Sequence, residues 1–184
     1  MKNLALLFLV AFLLPSCAQV RFPTRQPTHT DFPATIEIVE AVATLHRLVP
    51  DPDNPMDDLF VLTTFSGLKV RNQTGKPIPV TSQFHSAYDD LRLRIRDGNG
   101  RRLVTTSHTL AQRPAPIPQR FVIPEGESFI QLVCATPVGS KAPREDFPYI
   151  RSTDLTKTVQ LEFFGGFPGS GLNRAVQSNR VVVT

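Results

Sequence analysis

The chain has 184 residues, of which 41% are hydrophobic and 20% charged, and its formal net charge is +4. This length is sufficient for one domain with a substantial core, and a positive charge this small does not by itself indicate a nucleic-acid partner. Only two cysteines occur, Cys17 and Cys134. If Cys17 is lipidated or removed, no intramolecular disulfide can form.

Residues 1–16 have the pattern of a secretory signal peptide. Lys2 precedes an apolar run over residues 4–14, and Pro15 with small residues follows it. The run is shorter than the roughly twenty apolar residues that cross a bilayer as a helix, and no later segment approaches that length. The sequence therefore predicts an exported protein whose mature form has no transmembrane helix.

Two cleavage patterns overlap at Cys17. The segment LPSC resembles the bacterial lipobox, which implies cleavage before Cys17 and a lipid anchor on that residue. The alternative is ordinary cleavage after Ala18, which would release the protein into the periplasm or the medium. Because alanine follows Cys17, the resemblance to sorted lipoproteins of Gram-negative bacteria implies the outer membrane, with the domain facing the periplasm or the surface.

Residues 17–33 are predicted to form an extended tether, since prolines and polar residues alternate there without a core of their own. Residues 34–184 are predicted to form a single all-β domain of eight or nine short strands. The stretch IEIVEAVATLHRL is ambiguous between helix and strand. VPDPDNPMDD and PVGSKAPREDFPYIRSTD lack strand character and are predicted to be long surface loops.

The clearest strand is LRLRIRD, in which apolar residues alternate with Arg92, Arg94 and Arg96. The alternation places the arginines on one face, about 7 Å apart, and the apolar side chains on the other. The residues DGNG that follow favour a tight hairpin, with Arg101 and Arg102 on its second strand.

Three segments in this order, VRNQTGKPIPV, LRLRIRDGNGRRL and FVIPEGES, resemble the domain of the bacterial intracellular proteinase inhibitor type. The shared features are a strand that ends in asparagine, a strand that closes in an aspartate-glycine turn, and a proline-glycine-glutamate turn. The resemblance covers residues 68–135. It implies an immunoglobulin-like antiparallel β-sandwich and leaves a proteinase-inhibitor function as one alternative.

Other candidate motifs favour structural explanations. DPDNPMDD fails the calcium-loop pattern because Met56 stands where that loop needs glycine. GGFPGSGLNR lacks the lysine of a phosphate loop, and Pro168 stands where a nucleophile elbow needs glycine. Cys134 lies in an apolar run and is predicted to be a buried thiol.

Histidines and acidic pairs give no ligand or catalytic spacing either. The histidines are predicted to be isolated surface or strand residues: His29, His46, His85 and His108. The acidic pairs are predicted to be turn and strand-end residues: Asp89 with Asp90, and Glu125 with Glu127. No catalytic residue, metal or cofactor is predicted, and an enzyme is the weakest of the alternatives.

The arginine hairpin is the best candidate contact surface. The residues Arg92, Arg94, Arg96, Arg101 and Arg102 could bind phosphate or carboxylate groups of an anionic envelope polymer, or a protein partner. The alternative is that these arginines keep a solvent-facing strand soluble. Nucleic acid is not expected, because export removes that partner and no aromatic residues interleave the arginines. The sequence thus predicts a lipid-anchored, non-catalytic binding or structural protein of the cell envelope.

Overall fold

The computed structural model describes residues 34–47, 60–108, 117–140, 147–170 and 175–184. Cys17, the tether and the DPDNPMDD segment lie outside these ranges. Within them, no helix has the length and apolar character needed to cross a membrane.

The described chain is nearly all β and contains eleven strands, with one short 3₁₀ turn at Ser152–Asp154. The strands are β1 (Ala34–Arg47), β2 (Phe60–Asn72), β3 (Ile78–Ser82), β4 (Arg92–Asp97), β5 (Arg102–Ser107), β6 (Gln119–Ile123), β7 (Gly126–Gly139), β8 (Ile150–Arg151), β9 (Val159–Gly165), β10 (Val176–Gln177) and β11 (Val181–Val183). All strand pairs are antiparallel except β7 with β8.

Two sheets carry most of the fold. The first sheet has the order β1-β2-β7-β8, the second has the order β10-β9-β4-β5 with β11 also paired to β9, and β3 and β6 form a separate pair. The inner faces of both sheets contribute to one hydrophobic core. Fully buried members come from both sheets, for example Leu68 and Val70 from β2, and Leu93 and Ile95 from β4. The predicted all-β sandwich is therefore confirmed, while its immunoglobulin-like type stays a prediction.

The ambiguous stretch near the start of the domain is a strand. A β-bulge between Ile38 and Glu40 shifts the register of β1 against β2. Before the bulge Ile36 and Ile38 face the core, and after it the inward side chains are Ala41 and Ala43. Because of the extra residue, the core-facing side chains of Ile38 and Ala41 are three residues apart, whereas the others are two apart. A spacing of three is typical of helices, so the sequence pattern resembles helical periodicity.

The predicted number of strands was too low. The segment PVGSKAPREDFPYIRSTD is not a loop throughout, because β7 continues to Gly139 and β8 covers Ile150 and Arg151. Near the carboxyl end, β10 and β11 pair with different parts of β9. Strands of two or three residues are too short to show the alternation from which strands are predicted.

Asn179 joins the two sheets. The side-chain Oδ1 of this buried residue accepts the backbone N–H of Ile38 at 2.6 Å, and its Nδ2 donates to the carbonyl of Ile38 at 3.1 Å. A single amide thus takes the place of a neighbouring strand for the edge of β1, since it satisfies one backbone donor and one backbone acceptor.

Candidate anion-binding site

Strand β4 places the predicted arginine row on the outer face of the second sheet. It lies between β5 and β9, so its backbone is paired on both sides. Leu93 and Ile95 are fully buried on the inner face. The side chains of Arg92, Arg94 and Arg96 consequently project to the other side, as the alternation predicted.

A buried carboxylate, Glu162 of β9, lies beneath this row. Arg94 is directly opposite Glu162 in the strand register, and its Nη1 donates to Glu162 Oε2 at 2.8 Å. Arg96 Nη2 lies 3.8 Å from the same oxygen, and Arg180 Nη2 lies 3.5 Å from Oε1. Gln177 donates to Oε1 at 2.7 Å. Three guanidinium groups therefore converge on one carboxylate whose side chain is only 3% exposed.

These contacts keep Glu162 ionised. Burial raises the pKa of its carboxyl group, but hydrogen bonds from Gln177 and Arg94 and the charges of Arg180 and Arg94 outweigh burial. The net result is a pKa below the ordinary value of 4.5. The carboxylate is negative at neutral pH and partly neutralises the arginines around it.

Arg94 and Arg96 are held in place by further contacts. The guanidinium carbon of Arg94 lies 4.3 Å from the centre of the Phe164 ring, a cation–π arrangement. Arg96 Nη1 donates to the carbonyl of Gly100 in the hairpin turn at 2.9 Å. Both arginine side chains are 22% exposed. They therefore present charge to solvent from fixed positions.

Arg92 and Arg102 complete the cationic surface from its exposed side. Arg102 lies opposite Arg96 in the register of β5. Burial raises the pKa of the Asp90 carboxyl group, and the nearby charge of Arg92 offsets only part of that rise. Neither arginine forms an ion pair with another described residue within 4 Å. We name this surface the arginine face; its members are Arg92, Arg94, Arg96, Arg102 and Arg180, of which Arg94, Arg96 and Arg180 lie within 4 Å of Glu162.

Arg101 was predicted to belong to the same surface, but its contacts lie elsewhere. Its Nε is 3.4 Å from Asp97 Oδ2, and its Nη2 donates to Asp154 Oδ1 at 3.1 Å. The hydrogen bond to Asp154 is the main cause of the raised pKa of Arg101. The side chain is thus tied to the 3₁₀ turn rather than added to the arginine face.

His108 and Asp89 form a buried cluster that the sequence did not predict. His108 Nε2 lies 3.2 Å from Asp89 Oδ1, and the hydroxyl of Ser82 donates to Asp89 Oδ2. The backbone N–H of Ser86 also donates to Oδ2, at 2.9 Å. The hydroxyl of Ser82 therefore contacts the carboxylate of Asp89 and not the imidazole of His108. A nucleophilic serine needs the contact with histidine, so this arrangement favours a structural role in ordering the turn before β4.

The other candidates behave as structural residues within the described ranges. Cys134 is 1% exposed, as predicted, and burial raises the pKa of its thiol to about 12. His46 and His85 are exposed. No group of three or more histidine, cysteine or acidic residues within the described ranges could hold a metal ion. Phe163 and Phe167 of the glycine-rich segment are core residues.

The outer face of the first sheet has a different character. Phe65 is 52% exposed and lies between Val42 of β1 and Val133 of β7 in the register. The charges at one end of this face are balanced, since Arg71 pairs with Glu127 and Lys69 with Glu37. The positive charges of Lys69 and Arg71 are therefore compensated by neighbouring carboxylates.

Comparison with known proteins identifies no family. No protein-family model matches the chain, and no curated protein matches it. A crystal structure assigned to the ApaA protein of Bordetella pertussis aligns with 83% of this chain and 95% of its own, at 12% sequence identity and a TM-score of 0.38. A likeness at that TM-score carries no argument about this protein.

Proposed function

We propose that this protein is exported, held at the bacterial outer membrane by lipid on Cys17, and binds an anionic polymer of the cell envelope without catalysing a reaction. The observation that carries the binding part is the arginine face, where three guanidinium groups converge on a single buried carboxylate and the exposed Arg92 and Arg102 lie on the adjacent strands. The two packed sheets and the arginine hairpin also support an immunoglobulin-like type for the domain.

The geometry suits an oxyanion ligand for two reasons. Guanidinium groups bind phosphate and carboxylate through paired N–H donors, and the donors here are spaced along adjacent strands. Glu162, Gly100 and Phe164 fix Arg94 and Arg96, so that little side-chain entropy is lost when an anion binds. Arg92 and Arg102 are free to adjust to the spacing of charges in the polymer.

Binding is tested with two residues whose loss leaves Glu162 paired. The double variant Arg92→Gln with Arg102→Gln is titrated with polygalacturonate, polyphosphate and neutral dextran. Removal of two exposed ion pairs of about 0.2–1 kcal/mol each should weaken binding of an anionic polymer by about two- to thirtyfold.

The matched control is Lys76→Gln with Arg120→Gln, which removes the same charge from exposed positions outside the arginine face. This control should retain binding close to that of the unmodified protein. Equal weakening by both double variants would show that only net charge matters. Binding to dextran, or to neither anionic polymer, would reject the proposed function.

The anchor is tested separately by mass spectrometry of the mature amino terminus from cells. An acylated Cys17 supports membrane attachment. A free Gln19 at the terminus would show cleavage after Ala18 and a released protein.

A further inference from the structure

A small cavity opens between one edge of each sheet. It is lined by Leu103 at the start of β5, Tyr149, Ile150 and Arg151 at β8, and Asp154 in the 3₁₀ turn, and its volume is about 220 Å³. Ile150 is fully buried and Leu103 packs against the core, so one side of the cavity is apolar. Tyr149 adds an aromatic ring, while Arg151 and Asp154 add opposite charges.

The walls of this cavity are fixed to one another. The hairpin turn before β5 is bound to the segment after β8 through Arg101 Nη2 and Asp154 Oδ1, at 3.1 Å. The N–H of Gly98 donates to Thr156 Oγ1 at 3.2 Å, and Gln160 Nε2 donates to the carbonyl of Gly98 at 3.1 Å. Of these bonds, the one to Asp154 joins a residue that lines the cavity to the hairpin that leads into Leu103, which reduces the entropy lost on binding.

Two polar groups at the cavity are available to a ligand. Arg151 is exposed, and within the described ranges its guanidinium group forms no ion pair. Asp154 uses Oδ1 for Arg101, whereas Oδ2 has no hydrogen-bond donor among the described residues. A ligand could therefore place an anionic group on Arg151 and a hydroxyl donor on Asp154.

The size of the cavity selects among ligands. A volume of 220 Å³ equals about seven water molecules at roughly 30 Å³ each. It lies below the roughly 300–1,000 Å³ typical of sites for larger small molecules. The cavity thus has room for a single ring.

We propose that this cavity binds one sugar ring that carries a carboxylate, as an acidic unit of the polymer bound by the arginine face. The carboxylate binds Arg151, a ring hydroxyl donates to Asp154 Oδ2, and the apolar face of the ring packs on Tyr149 and Leu103. This inference rests on the proposed function for the source of the ring, and it narrows the ligand from any anionic polymer to one with carboxylated sugars.

The test is a titration of the full chain with glucuronate, glucose and inorganic phosphate. Binding is monitored by isothermal titration calorimetry and by the NMR methyl signals of Leu103 and Ile150. Glucuronate should bind and shift both methyl signals. Glucose lacks the carboxylate and should bind about tenfold more weakly or worse, in line with the loss of one charge-assisted hydrogen bond. Phosphate keeps the contact with Arg151 but lacks the ring that packs on Tyr149 and Leu103, so it should also bind more weakly than glucuronate. Phosphate binding as tight as glucuronate binding would overturn the proposal.

The variant Arg151→Gln should weaken glucuronate binding by about tenfold or more, while Arg120→Gln, an equal charge change at an exposed position of β6, should not. If Arg151→Gln fails to fold, the methyl shifts of the unmodified protein decide whether glucuronate binds in the cavity. Shifts confined to Leu93 and Ile95, on the strand that carries the arginine face, would place the glucuronate there and overturn the proposal.

The test of the sugar site in the cavity can be distinguished from the test of polymer binding at the arginine face. Polymer binding that depends on Arg92 and Arg102, without glucuronate binding in the cavity, rejects the sugar site and leaves the arginine face intact. Glucuronate binding that depends on Arg151, without polymer binding, supports the sugar site and rejects the arginine face as a polymer site.

Discussion

Replacement of Glu162 by glutamine should destabilise the protein, because it leaves three guanidinium groups without their shared counter-ion. The isosteric amide keeps one oxygen acceptor and removes the negative charge. Glu162 is almost fully buried, whereas Arg94 and Arg96 are 22% exposed and Arg180 is 47% exposed. Solvent can therefore relieve part of the repulsion that the change creates.

The expected magnitude follows from that partial exposure. Breaking a fully buried ion pair by removal of one partner typically costs about 3–5 kcal/mol. Exposed pairs contribute about 0–1 kcal/mol. An intermediate loss of about 2–3 kcal/mol in the free energy of unfolding is expected at pH 7, since the carboxylate is buried and the cations are partly solvated.

The loss should depend on pH in a defined direction. The folded-state pKa of Glu162 lies below the ordinary value of 4.5. The charged carboxylate therefore contributes its full stabilisation above about pH 5, and this contribution disappears as the pH falls through the folded-state pKa. The difference between the unmodified protein and Glu162→Gln should be constant from pH 7 to 5 and should shrink below about 4.5.

Urea unfolding monitored by circular dichroism at pH 7 and pH 3.5 measures both effects. Glu127→Gln is the matched control, because Glu127 pairs with Arg71 on the exposed face of the first sheet and should change stability little. If Glu162→Gln destabilises no more than Glu127→Gln, or if its effect is as large at pH 3.5 as at pH 7, Glu162 is not the stabilising counter-ion of the three arginines.

Three further substitutions or reactions test the fold. Gly165→Ala should destabilise by about 2–4 kcal/mol in thermal unfolding, since an added Cβ would collide with the backbone carbonyl oxygen of Asp90. Gly166→Ala, with open space around it, should change stability by under about 1 kcal/mol. Asn179→Ala should cost about 2–4 kcal/mol in urea, because it leaves a backbone N–H and a carbonyl of β1 unpaired, and a smaller loss than Gly166→Ala would contradict that role. With Cys17 replaced by serine, Cys134 should react with a thiol reagent only at the rate of unfolding, since it is buried and its pKa is raised to about 12. Fast labelling of the folded protein would refute this.

The sequence predicted the fold class and the arginine row because both depend on local patterns. Alternation of Leu93 and Ile95 with arginines defines two faces of β4 without knowledge of its neighbours. Turn residues likewise predicted the hairpin, where the N–H of Gly100 donates to the carbonyl of Asp97 at 3.0 Å. The helix-like pattern of β1 was misleading because a bulge changes its parity, and a bulge has no reliable sequence signal.

Glu162 was missed because its role depends on strand order. In VQLEFF the alternation already placed Glu162 opposite to Leu161 and Phe163, on the outer face. Only the pairing of β9 with β4 brings it beneath Arg94, and only the position of the chain after β10 brings Arg180 to it. Contacts between residues this distant in sequence are set by topology, which a single sequence does not specify.

The most direct test of anion binding by the arginine face compares polygalacturonate binding at pH 7 between variants that change the charge of this face in opposite directions. Arg92→Gln with Arg102→Gln should weaken binding. Glu162→Gln, measured at a temperature where circular dichroism shows it folded, should strengthen binding, because the negative charge that competes for the arginines is removed while the amide oxygen can still accept from Arg94 and keep it in place. Changes of the same sign in both variants, or no change in either, would contradict anion binding by the arginine face.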